Sequence, residues 1–260
     1  MILNLAKLAG VYRLYERYLL NQISNNHPPK HIGIILDGNR RWASFHAKPR
    51  WMGHIEGANN TNDILEWCHE LKIKVITLYA LSEENFDRSK DELDQLLSVI
   101  GRKLDELLTD PKIDLYDVNV KIIGDKTDLN NDLNNKIEQL ENKTKDHVGH
   151  FLNIALAYGG RSEIVDVVKI LSKKSIDGEI DPNSITQDVI EKHLSTSHLP
   201  YQDPDLIIRT SGESRLSGFL LWQSAYSELL FLDVYWPDFR KIDLMRAIRT
   251  FQKRNRRYGK

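Results

Sequence analysis

The stretch His31-Ile-Gly-Ile-Ile-Leu-Asp-Gly-Asn-Arg-Arg-Trp-Ala43 runs apolar residues straight into an acid, a glycine, an amide and two cations. Ile32, Ile34, Ile35 and Leu36 predict a short buried strand, and a helix begins as the arginines follow. A strand that opens into a helix through Asp37-Gly38-Asn39 puts free backbone N–H groups and a carboxylate at one spot. Gly38 lets the backbone approach a phosphate closely, and an ionised Asp37 is a hard oxygen ligand suited to Mg²⁺. An ordinary strand-to-helix turn with Asp37 as N-cap would use the same residues. Arg40, Arg41, Arg50 and His54, the last in a Gly53-flanked turn, favour an anion site.

Two further polar segments follow strand-like runs. In Ser82-Glu83-Glu84-Asn85-Phe86-Asp87-Arg88, an N-cap with acids in the first turn accounts for Ser82, Glu83 and Glu84, but not for Asn85 and Arg88. The other holds Arg209, Thr210, Ser211, Gly212, Arg215 and Ser217, where guanidinium forks beside small hydroxyls suit a diphosphate. Glu228, in an aromatic-rich run, reads equally well as a core-edge acid or a second metal carboxylate. There is no P-loop, dinucleotide fingerprint, His-Glu-x-x-His or Gly-x-Ser-x-Gly. Ile-Leu-Asp-Gly has a faint likeness to aspartyl-phosphate phosphatases, but Asn39 stands where their second aspartate belongs. These residues point to Mg²⁺-assisted chemistry on phosphate or diphosphate esters, and leave the substrate open.

The elements that must position them alternate. Strands are predicted at 32–36, 75–81, 118–123, 151–157, 206–208 and 229–234. Between them, helical spacing covers 54–71, 93–108 (stopped before Pro111), 129–140, 163–171, 186–194 and 241–254, with a loop over 173–183. The fold class is therefore α/β, one domain with a mostly parallel six-stranded sheet flanked by helices. Ligands of such sheets sit outside the carboxyl ends of the strands, so all three polar segments converge on one crevice.

The 260 residues, 41% apolar and 28% charged, suit one large domain over 30–260. A net charge of -1 provides no global basic field, which argues against nucleic acid as a partner. The single Cys68 excludes an intrachain disulfide and a thiolate cluster, so the expected setting is reducing and cytoplasmic. No window is apolar enough to span a bilayer. Residues 1–29 read as an amphipathic helix and a polar linker. Leu5, Leu8, Tyr12, Tyr15 and Leu19 form a stripe for packing on the domain or a second subunit, or for peripheral contact with a membrane surface.

The ordered set of Asp37 to Ala43, Gly53-His54 with Gly57, Leu78 to Ala80 with Ser82 to Arg88, Asn153 to Arg161, Asp205 to Trp222 and Ser224 to Phe239 closely resembles the cis-prenyltransferases, the undecaprenyl and dehydrodolichyl diphosphate synthase family. The resemblance runs from about His31 to the C-terminus. It implies Mg²⁺-dependent condensation of isopentenyl diphosphate onto an allylic diphosphate, repeated to give a long polycis-polyprenyl diphosphate, precursor of a lipid glycosyl carrier. By the same resemblance Asp37 and Glu228 hold the metal, and Gly38, Asn39, Arg40 and Arg41 cradle the allylic diphosphate with Arg50 and His54. Arg209, Arg215, Leu216 and Ser217 belong to the isopentenyl site, and Asn85 assists removal of its proton. Ser82, Glu83 and Glu84 accompany Asn85, while Trp42, Phe86 and Arg88 line the junction with an apolar tunnel. The leucine-rich helix 93–108 becomes that tunnel's wall, where periodicity alone reads as plain core.

Phe86, Ser214 and Gly218 depart from the residues common in relatives, and none removes a charge needed for diphosphate binding. Arg257-Tyr258-Gly259 matches an Arg-x-Gly signature that in the family reaches the partner's isopentenyl site, which implies a homodimer. The N-terminal helix looks archaeal or eukaryotic in type, implying geranylgeranyl diphosphate as starter, with farnesyl diphosphate the alternative.

Overall fold

The computed structural model describes residues 10–24 and 27–254. Helix α1 (Val11–Ser24) precedes β1 (His31–Ile35), α2 (Asn39–Phe45), α3 (Arg50–Asn60), α4 (Ile64–Glu70) and β2 (Val75–Tyr79). Then come α5 (Lys90–Thr109), α6 (Pro111–Leu115), β3 (Val118–Ile123), α7 (Asn131–Thr144), β4 (His150–Ala155) and α8 (Gly160–Ile176). The chain continues with α9 (Gln187–Glu191), β5 (Leu206–Arg209), β6 (Glu228–Phe231) and α10 (Lys241–Lys253).

All six strands are parallel, in the order β3-β4-β2-β1-β5-β6. Central strands β1, β2 and β5 are buried throughout, whereas edge strands β3 and β6 include partly exposed positions. Continuous apolar runs belong to strands covered on both faces, and these strands carry them. On one face Ile32, Ile34, Ile76, Leu78, Leu152 and Ile208 join the large core under the helices. On the other, Ile35, Tyr79, Ala155 and Ile207 pack with Phe219 and Leu220. The chain leaves β1 for β2 on one side and later returns to place β5 on the other, so the strand order reverses at β1. A crevice at the carboxyl ends follows from that reversal.

Several expected boundaries move, three of them instructively. The expected helix 54–71 begins at Arg50 and breaks into α3 and α4 at a 3₁₀ turn, Thr61–Asp63. The run Asn59-Asn60-Thr61-Asn62-Asp63 explains the break, because such side chains compete for backbone hydrogen bonds. Helix α8 extends five residues beyond Leu171 to Ile176, into the expected loop, and the chain then turns at Gly178 with φ 75. Strand β6 ends at Phe231 instead of reaching Val234.

The described part of the N-terminal stripe packs on the C-terminal helix. Leu19 and Ile23 are buried in the main core, with Tyr12 and Tyr15 against it. Arg246 Nε donates to Tyr15 Oη at 3.1 Å, Arg249 Nη1 to Gln22 Oε1 at 3.0 Å, and Lys241 pairs with Glu16 at 2.6 Å. Leu5 and Leu8 lie outside the described residues. No helix among the described residues is long and apolar enough to cross a membrane.

Candidate active site

Asp37 lies two residues beyond β1, and its backbone is clamped from β5's side. The Thr210 hydroxyl donates to Asp37 O at 2.6 Å and accepts from Asp37 N–H at 3.0 Å. Gly38 then adopts φ 102, where a Cβ would come within 2.7 Å of the Tyr235 ring and 2.9 Å of Ser211 Cβ, so only glycine fits. No side chain caps α2 at this residue. Gly53 and Gly57 of α3 hold the same turn from behind. A Cβ on Gly53 would fall 2.0 Å from Asn39 O, and one on Gly57 would fall 2.2 Å from Asn39 Oδ1.

The Asp37 carboxylate is gripped by arginine. Arg209, 5% exposed at the end of β5, donates to Oδ2 from Nη2 at 2.7 Å and from Nε at 3.2 Å. Its Nη1 turns the other way, to Ser217 Oγ at 2.8 Å and to the Arg215 carbonyl. Arg41 reaches Asp37 Oδ1 at 3.5 Å, Ser211 Oγ at 2.5 Å and Glu213 Oε1 at 3.0 Å. Burial pushes the Asp37 carboxyl up, but hydrogen bonds and charge from Arg209, with Ser211 and Arg41, outweigh it and hold the group below its usual range.

Across the cleft, Glu92 in the first turn of α5 gathers a second cationic group. Its Oε1 accepts from Arg88 Nη1 at 3.0 Å and lies 3.6 Å from Arg40 Nε and 4.0 Å from His54 Nε2. His54 is buried, and its Nε2 has no hydrogen-bond partner. Burial, the Arg88 charge and the Arg40 charge bring it down to about 4 against the partial opposition of Glu92, so the ring is neutral at neutral pH. Glu213 does for Arg41 and Arg215 what Glu92 does for Arg40 and Arg88, pairing with both.

Asp37, Arg40, Arg41, His54, Arg88, Arg209, Glu213 and Arg215 face one cavity of about 900 Å³. Its polar end is lined by Asp37, Gly38, Asn39, Arg40, Arg41, Arg50, His54, Ser82, Asn85, Arg88, Arg209, Arg215 and Ser217, so all three polar segments meet there. Most of the remaining wall is apolar, formed by Leu36, Leu78, Leu81, Ile154, Leu156, Ile64 and Leu65 with Leu96, Val99, Ile100, Leu104 and Leu107 of α5, while Thr61, Asn62, Lys103 and Glu106 add polar positions. The lining continues to Thr109–Lys112 at the end of that helix. Leu96, Ile100, Leu104 and Leu107 of α5 belong both to the cavity wall and to the main core, so one stripe serves both.

Several expected residues lie elsewhere. Trp42 is on the buried face of α2 against His46, ring centroids 4.3 Å apart, and does not line the cavity. Glu83 accepts from Ser162 Oγ at 2.6 Å, Glu84 is exposed off the cavity, Phe86 packs against the core, and Leu216 packs against the Tyr79–Phe219 cluster. Asn85, expected to be free of capping, accepts from Ser82 N–H at 3.3 Å as well as lining the cavity. Glu228, expected with Asp37 at the metal, lies apart from it within one chain. It begins β6 and registers with Leu206, at the amino edge of the sheet, whereas Asp37 lies beyond the carboxyl edge. There it pairs with Arg254 at 2.6 Å, so the two carboxylates do not meet within one chain. Arg257 and Gly259 lie outside the described residues.

Motif reading missed Glu92, and it included Thr210 and Tyr79 without giving either a role of its own. Tyr79 closes β2, and its hydroxyl lies 3.0 Å from Tyr158 O and 3.2 Å from Ser217 O, with its ring stacked on Phe219 at 4.8 Å. Gly160 N–H adds a bond to Gly218 O at 2.8 Å. Together they fix a loop in which Ser211, Ser217 and Leu220 all take positive φ. No local sequence signal marks such partners, since they act across the sheet.

Among the described residues, no cluster of three or more His, Cys, Asp or Glu forms a metal cage. Mg²⁺ is ordinarily held by one or two carboxylates together with substrate phosphates, and Asp37 flanked by Arg209 and Arg41 fits that pattern.

The protein family described as "Putative undecaprenyl diphosphate synthase" matches residues 35–259. A Pyrococcus horikoshii protein named tritrans,polycis-undecaprenyl-diphosphate synthase (geranylgeranyl-diphosphate specific) is 49% identical over 249 residues, spanning 96% of this chain and 94% of that protein. The Methanocaldococcus jannaschii protein of the same name is 47% identical, spanning 97% of this chain and 90% of its own. The crystal structure of lavandulyl diphosphate synthase from Lavandula x intermedia, in complex with dimethylallyl diphosphate, superimposes with a TM-score of 0.85 at 35% identity, covering 90% of this chain and 99% of that one.

Proposed function

Because the chain belongs to the undecaprenyl diphosphate synthase family of prenyltransferases, we propose that it extends geranylgeranyl diphosphate with successive isopentenyl diphosphates into a polycis-polyprenyl diphosphate, a lipid carrier precursor. The observation that carries this reading is one cavity lined both by two arginine clusters and by an extensive, mainly aliphatic wall that runs along α5. The clusters suit two diphosphates, and the wall suits a hydrocarbon that lengthens with each turnover.

In each cycle the allylic C1–O bond breaks, C1 joins C4 of isopentenyl diphosphate, and C2 of that unit loses a proton. Asn39, Arg40, Arg88 and His54 hold the allylic diphosphate, while Arg209, Arg215 and Ser217 hold the isopentenyl one. Their fixed positive charge favours the transition state, in which the leaving diphosphate gains charge. Magnesium, when bound, neutralises diphosphate charge, and Asp37 is the residue to hold it. Asn85 is an amide and no base, so it orients the isopentenyl unit while a diphosphate oxygen takes the proton. A second copy of the chain completes the isopentenyl site through Arg257 and Gly259.

The test is product analysis by mass spectrometry after incubating the purified chain with isopentenyl diphosphate, Mg²⁺ and either geranylgeranyl or farnesyl diphosphate. A ladder of five-carbon additions, stronger from geranylgeranyl diphosphate, is expected. A chain inert alone but active with a partner subunit would refute the self-sufficient enzyme.

A further inference from the structure

We propose that the corner joining α2 to α3, residues 45–51, docks on an anionic lipid surface. Phe45 is 79% exposed and Trp51 is 42% exposed, on either side of the short turn between the two helices. The corner is well anchored. The Phe45 ring meets His46 edge-on with centroids 5.2 Å apart, and His46 lies against buried Trp42. Lys48 Nζ sits 4.8 Å from the centroid of the Trp42 ring. A stack rooted in the core thus presents its outermost aromatic ring to water, the arrangement an interfacial anchor needs at low entropic cost.

Charge selects the surface. From Gly38 to Ile55 the chain carries Arg40, Arg41, Lys48 and Arg50 with no Asp or Glu. Lys48 is shared with Glu56 at 3.7 Å, but Arg50 is exposed and makes no ion pair among the described residues. Exposed cations beside aromatic rings fit an anionic leaflet, whose potential attracts each Lys or Arg near it. Position supplies the use. Ser44 and Arg50, the sequence neighbours of the two aromatics, line the cavity. The corner therefore sits at the rim through which an amphiphilic diphosphate would enter and its longer product leave, a role that rests on the prenyl-transfer reading although the docking itself does not.

The experiment sediments the full chain with vesicles of phosphatidylcholine mixed with phosphatidylglycerol, and separately with pure phosphatidylcholine. Binding is expected to the mixed vesicles, weakening with salt. Phe45→Ser with Trp51→Ser should lower partition by roughly tenfold or more. Turnover of a short allylic diphosphate in detergent and the thermal midpoint should stay unchanged, because neither side chain lines the cavity. Three results would overturn the proposal: wild-type protein that remains in the supernatant at low salt, a double variant that partitions like wild type, or a double variant of altered mass in solution, which would mark a contact between copies. So would loss of binding in Leu14→Ser with Tyr18→Ser alone, which moves the contact to α1. Failure of turnover in the wild type would count against the enzymatic reading and leave the partition result standing.

Discussion

Arg209 and Asp37, separated by 172 residues, form the most deeply buried charged contact among the described residues of the cleft, with Nη2 2.7 Å from Oδ2 and Arg209 only 5% exposed. One guanidinium holds the acid with two nitrogens and Ser217 with the third, so a single buried cation ties the first polar segment to the last.

Asp37→Asn removes the charge and keeps the shape. Turnover should fall by ~10²-fold or more, because the leaving diphosphate loses its metal partner. Arg209 keeps Ser217 and the Arg215 carbonyl, so the stability loss should stay within about 1–3 kcal/mol. Product yield and a denaturant melt, measured on the same sample, check both halves.

Glu92 does not line the cavity, yet it spaces Arg40 and Arg88. Glu92→Gln should raise KM for the allylic diphosphate by about tenfold while leaving KM for isopentenyl diphosphate within about twofold. Equal changes in both constants would mark Glu92 as merely structural.

A methyl group added at Gly53 meets the Asn39 carbonyl, which is backbone and cannot swing aside. Gly53→Ala should cost about 1–3 kcal/mol in a thermal or urea melt and lower turnover, since the displaced backbone carries the diphosphate turn. Gly101→Ala is the control, because the nearest atom to its Cβ is a flexible leucine carbon at 3.4 Å.

Ile100 belongs to the aliphatic wall along α5. Ile100→Trp fills the cavity midway along α5 and should shift the product ladder to shorter chains without weakening diphosphate binding. Chromatography of labelled products reads the shift directly.

His31 and His54 are both brought from 6.5 down to about 4, first by burial and, for His54, also by the Arg88 and Arg40 charges, with Glu92 opposing at His54 and Asp205 at His31. Folded values below the unfolded ones mean that the unfolded chain takes up these protons first. Their contribution to stability is therefore complete above pH 6.5 and drains as pH falls from 6.5 toward 4, up to about 3 kcal/mol for each ring. Denaturant melts across that window should show His54→Gln losing clearly less stability than wild type.

The three polar segments were legible because each is local: a strand run, then a phosphate-suited turn whose glycine and charges are adjacent in sequence. So were the six strands, since continuous burial leaves continuous apolar runs. Glu228 shows where such reading stops. Its spacing allowed a metal role, and only the register of β6 placed it at the far edge beside Arg254. Capping likewise hid Asn85's second contact, and the asparagine-rich break between α3 and α4 was masked by a single unbroken periodicity.

The sequence alone determined the chemistry available: an acid, arginines and glycines in turns, with leucines enough for a long apolar wall. The tertiary structure alone decided which acid stands with which cation. Thr210 and Tyr79 sit inside motifs that do not show their roles, Glu92 sits in none, and all three matter through partners on other elements. Contacts between elements depend on strand order and register, which side-chain periodicity does not encode. The opening turn at Asp37 accordingly drew its candidate ligand from its own residues and its geometry from β5, α3 and α5.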